Sequence, residues 1–74
     1  MNILRIQNML WYFQKSEKIE NQFLLNKNFS QDEIDFALSQ DYILVCEDTS
    51  NTFMGDVKYK ITPLGIKIRD KHNN

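Results

Sequence analysis

Apolar positions along the chain fall first on a helical period, then on a strand period, then on a helical one again. Ile3, Ile6, Leu10 and Phe13 recur at spacings of three and four, with Met9 on the same side, which predicts an amphipathic helix over about Asn2–Lys15. Ser16 is placed to cap a second, shorter helix through Asn26 with Ile19, Phe23 and Leu24 inward; one continuous helix through this region is the alternative. Asn26, Lys27 and Asn28 read as a turn. Ser30-Gln31-Asp32-Glu33 is a capping box with Phe29 and Ile34 at the hydrophobic-staple positions, so a helix over Gln31–Gln40 follows, with Ile34, Ala37 and Leu38 inward. Asp41 is its candidate left-handed terminator.

Beyond Asp41 the period shortens to two. Tyr42–Glu47 reads as a strand, and Val57, Tyr59 and Ile61 alternate with Lys58, Lys60 and Thr62 in a second. The polar segment Asp48–Asp56 is too long for a tight turn and joins the two as a hairpin with an extended tip. Phe53 and Met54 at that tip are expected to fold back on the hairpin, the other reading being a contact knob. Thr62 then supplies a helix cap and Pro63 the first helical position, so strand runs into helix without a loop and continues to Asp70. Gly65 in that first turn costs roughly 1 kcal/mol relative to Ala, which points to another element packed closely against it.

Several apolar residues are left over from one core. Leu4 and Trp11 lie on a second strip of the first helix, either covered by the hairpin strands or forming a dimer seam or partner patch, and Tyr12 points elsewhere again. Phe36 stands opposite Ile34 among Asp32, Asp35, Ser39 and Gln40. A neighbouring element covers it, or it is a contact residue.

A chain of 74 residues makes one small domain, residues 1–70, with a polar tail over 71–74 expected to be disordered. Its core supplies only a few kcal/mol, which makes dimerisation a plausible source of further stability. The lone Cys46 allows no intramolecular disulfide and fits a reducing cytoplasm, and there is no zinc-ligand spacing. The N-terminus lacks the features of a signal peptide, and no apolar run approaches the ~20 residues of a membrane span. A cytoplasmic protein without membrane contact is expected. His72 stands alone in the tail, Asp32 and Glu33 are accounted for by a helix N-terminus, and no nucleophile is paired with a base. The expectation is a non-enzyme without metal or cofactor.

A helix ending in Asp41-Tyr42-Ile43, an extended hairpin, and a returning strand Tyr59-Lys60-Ile61-Thr62 followed by Gly65 together resemble the winged helix-turn-helix superfamily, in particular its MarR- and PadR-like regulators, over about Phe29–Arg69. The resemblance implies an α+β fold of order α-α-α-β-β-α with a two-stranded wing. It also implies DNA binding by the helix Gln31–Gln40, with the wing against the phosphate backbone.

Charge argues against that use. Residues 28–57 hold Asp32, Glu33, Asp35, Asp41, Glu47, Asp48 and Asp56 and no Lys or Arg, whereas phosphate neutralisation needs basic groups. The expected function is therefore a regulatory or adaptor domain acting through protein contacts, by self-association or with a basic partner. Its candidate interface is Leu4, Trp11, Tyr12, Asp32, Asp35, Phe36, Gln40, Phe53 and Met54. The alternative is a DNA-binding regulator that uses Lys58, Lys60, Lys67 and Arg69 on the last strand and helix.

Overall fold

A computed structural model of the chain describes residues 2–14 and 17–71. Its elements are α1 (Ile3–Leu10), β1 (Ile19–Glu20), α2 (Asn21–Asn26), α3 (Gln31–Ser39), β2 (Ile43–Asp48), β3 (Val57–Ile61) and α4 (Pro63–Asp70). The described residues thus form a small α+β domain with four helices and a three-stranded antiparallel sheet of order β1-β3-β2. Lys15 and Ser16, expected to end one helix and cap the next, lie outside the described residues, as do the tail residues 72–74 with His72.

Two corrections concern the first third of the chain. α1 stops at Leu10, because Tyr12 donates its N–H to Met9 and Phe13 to Leu10, three residues back rather than four, which tightens and closes the last turn. Ile19 is not helical: with Glu20 it forms a strand whose register sets Ile19 against Tyr59 and Glu20 against Lys58. The order is therefore α-β-α-α-β-β-α, with one strand more than the pattern suggested. α2 starts only after that strand. Its early amide on Gln22 is taken by the Asp56 carboxylate at 2.8 Å, a cap supplied from the far end of the hairpin.

The second half follows the sequence pattern closely. Ser30 and Glu33 form the reciprocal capping box, with Phe29 and Ile34 both buried beside it. Asp41 has φ 62°, the left-handed geometry expected of the residue that ends α3. β2 pairs with β3 from Ile43↔Ile61 to Asp48↔Val57, with a bulge at Cys46. Thr62 accepts the Gly65 N–H at 2.9 Å as the cap of α4. A Cβ on Gly65 would lie 2.0 Å from the Tyr42 carbonyl oxygen, so the α3–β2 junction is the element packed against that turn.

The core gathers Ile6, Met9, Leu10 and Phe13 of the N-terminal segment with Leu24, Phe29, Ile34, Ala37, Ile43, Tyr59 and Ile61. Leu38 is half-buried at its margin. Two expected core residues are outside it. Ile3 is 47% exposed at the start of α1, and Phe23 is 39% exposed because its ring stacks edge-on against Tyr12 instead.

Candidate interaction surface

α3 is placed by its two ends. The capping box fixes its start, and the connection from α2 through Lys27, Asn28, Phe29 and Ser30 turns on Asn28, whose φ of 71° suits a short polar side chain. Arg5 of α1 clamps the same corner. Its guanidinium donates to both Glu33 carboxylate oxygens, at 2.6 and 3.0 Å, and to the Asn28 carbonyl. That hydrogen bond from Arg5 holds the Glu33 carboxyl at about 2, well under its ordinary 4.5, against the opposing effect of burial.

The acids of residues 28–57 then separate into two groups. Glu33 is bound by Arg5, Glu47 by Lys58 at 3.1 Å and Lys18 at 3.5 Å, Asp48 accepts from the Ser50 amide and hydroxyl, and Asp56 caps α2. These four serve the fold. Hydrogen bonds from Lys58 and Ser50 hold Glu47 and Asp48 below their ordinary ranges, so both stay ionised. Asp32, Asp35 and Asp41 are exposed, and among the described residues none of them meets a basic side chain. Asp32 and Asp35, with the exposed Gln40 at its C-terminal cap, form an acidic outer face on α3, and Asp41 lies just beyond it in the turn.

Phe36 is not part of that face as an exposed aromatic. It is half-buried, with its ring edge-on to Tyr42 at 6.4 Å, because the chain reverses at Asp41 and lays Tyr42 over it. The hairpin tip departs from expectation in the opposite sense. Phe53 and Met54 do not fold back but stand 96% and 86% exposed. Hydrogen bonds within the loop hold them out: Thr49 N–H to the Asp56 carbonyl, Thr52 N–H to the Thr49 carbonyl, and Gly55 N–H to the Thr52 carbonyl.

On α1, the hairpin does not cover Leu4 and Trp11, which are 62% and 49% exposed. α4 lies beside this strip instead. Gln7 donates to the Ile68 carbonyl at 2.9 Å, and the Arg69 guanidinium sits 5.6 Å from the Trp11 ring centre. Tyr12 belongs to a separate aromatic group with Phe23 and Phe29, which Lys27 and Arg5 overlie.

The basic candidates are divided. Lys58 and Lys60 share the sheet face opposite the buried Tyr59 and Ile61, while Lys67 and Arg69 stand on α4. Lys58 is bound to Glu47, whose hydrogen bond raises its pKa, and Arg69 is bound to Asp70 at 3.0 Å and to the Phe13 carbonyl at 3.1 Å. Lys60 and Lys67 form no ion pair among the described residues. Leu64, Ile68 and Lys71, which the sequence pattern does not single out, line with Lys67 and Asp70 a shallow, open surface of about 500 Å³ on α4. Their spacing of three and four was the available signal. Among the described residues no group of His, Cys, Asp or Glu is placed to hold a metal, and no helix is long and apolar enough to cross a membrane.

In comparisons with known proteins, the chain matches no family model, no curated protein and no solved structure.

Proposed function

We propose that this is a small winged-helix-type regulatory or adaptor domain that acts in the cytoplasm mainly through protein–protein contacts made by its acidic helix-and-wing face. Two helices joined by a four-residue connection, followed by a hairpin with a long tip, support the winged-helix reading. The carrying observation is the outer face of α3, where Asp32 and Asp35 are exposed without a basic neighbour, with Asp41 exposed just past the helix end. A helix laid in a DNA groove with that face would set two uncompensated carboxylates against phosphates, whereas a protein surface rich in Lys and Arg is attracted by them.

The competing use, nucleic-acid binding through Lys58, Lys60, Lys67 and Arg69, is weakened because Lys58 and Arg69 already engage carboxylates. Fluorescence anisotropy with a labelled DNA duplex at low salt separates the two. A protein-contact role predicts no saturable binding at micromolar protein. Tight, salt-sensitive binding that disappears on Lys60→Glu with Lys67→Glu would establish the competing use.

A further inference from the structure

We infer that the hairpin tip of one molecule docks on the open α4 face of a second copy of this chain. The inference rests on the proposed role as an interaction module and names the partner of its hairpin tip, a contact that leaves the α3 face open.

Both halves of the contact are present on one molecule. Phe53 and Met54 are the most exposed large apolar side chains among the described residues, at 96% and 86%. The loop that presents them is preset. Thr49 and Asp56 close it with two backbone-directed bonds of 3.0 and 3.1 Å, Met54 sits in the left-handed region at φ 62°, and a Cβ on Gly55 would meet the Thr49 carbonyl oxygen at 1.6 Å. A knob already held in its docking shape loses little conformational freedom on binding.

The receiving surface is the shallow, open face of α4 around Leu64, Lys67, Ile68, Asp70 and Lys71, about 500 Å³ in volume, where Leu64 is 44% exposed. Asp70 is occupied by Arg69, which leaves Lys67 and Lys71 to set the sign of the rim. The knob is flanked by Asp48 and Asp56, whose hydrogen bonds come from uncharged groups and leave their charge in place, with no basic residue anywhere in 28–57. Apolar tip meets apolar floor, and acidic flanks meet a basic rim. The same acids disfavour nucleic acid and anionic lipid as occupants of the tip.

Topology directs the contact between molecules. The tip lies at the Asp48–Val57 end of the hairpin, and α4 begins beyond Ile61 at the other end. The molecule is elongated, 43 Å along its longest axis, and its own tip stands in solvent. Two copies side by side and antiparallel bring each tip to the other's α4 face, which closes a two-fold pair. The two contacts form together, so each can be weak.

Light scattering coupled to gel filtration, run on the full chain over a concentration series at low and high salt, tests this. The expected result is a mass that rises from 8.9 kDa towards twice that value and falls back with salt. Phe53→Ala with Met54→Ala, and separately Lys67→Glu with Lys71→Glu, each weaken self-association at least tenfold while leaving circular dichroism unchanged. An equimolar mixture of the two variants, which restores one contact of the two, associates more strongly than either alone. A wild-type monomer at millimolar concentration, or a dimer indifferent to both variants, overturns the inference. The DNA titration then separates the two failures: a monomer that also ignores DNA overturns only self-docking, whereas tight DNA binding overturns the interaction-module reading itself.

Discussion

Glu33 shows how one side chain joins three parts of the chain. It caps α3 through Ser30, receives Arg5 from α1, and so fixes the helix that carries the acidic face. Because its folded pKa of about 2 lies below the ordinary 4.5, its contribution to stability is fully present above 4.5 and is lost as pH falls towards 2. Thermal melts are therefore expected to show a midpoint that drops over that range, with a smaller drop in Glu33→Gln; an unchanged pH dependence in the variant contradicts the assignment. Ser30→Ala removes the other half of the box and should cost about 1 kcal/mol in urea unfolding. Gly65→Ala sets a methyl group against the Tyr42 carbonyl, and a loss of roughly 3 kcal/mol is expected. The need for glycine at that position was legible from its helix cost, but the carbonyl that imposes it was not.

At the scale of elements, local signals placed what they control. The capping box, the Thr62-Pro63 start and the alternation of Val57, Tyr59 and Ile61 each depend on neighbours a few residues away, and α3, α4 and β3 lie where those signals put them. β1 has no such signal. Two residues make a strand only because β3 offers them an edge, and α2 is capped by an aspartate 34 residues further along. Asp56→Ala should thus cost about 1 kcal/mol, although Asp56 sits in a loop, whereas Phe53→Ala in the same loop should stay within about 0.5 kcal/mol. Urea denaturation of the two variants checks this contrast. Equal losses would mean that the tip, too, serves the fold.

At the scale of the whole molecule, the sequence carried the charge partition but not its bookkeeping by contact. Seven acids in 28–57 suggested a uniformly acidic helix and wing. Folding neutralises Glu33 and Glu47 in ion pairs, gives Asp48 and Asp56 turn and cap bonds to uncharged groups, and leaves Asp32, Asp35 and Asp41 exposed on α3 and at its end. Ion pairing likewise removes Lys58 and Arg69 from the basic set. Which charges face solvent alone depends on tertiary neighbours, and composition cannot report that. Contact through the α3 face and the hairpin tip, as proposed, is tested most directly by amide chemical shifts of ¹⁵N-labelled protein. Titration with a short Lys- and Leu-rich peptide is expected to shift the amides of Asp32, Asp35, Gln40 and the hairpin tip, with the shifts abolished by Asp32→Asn plus Asp35→Asn. Shifts confined to Lys60, Lys67 and their neighbours on addition of duplex DNA, with α3 silent to the peptide, would contradict it.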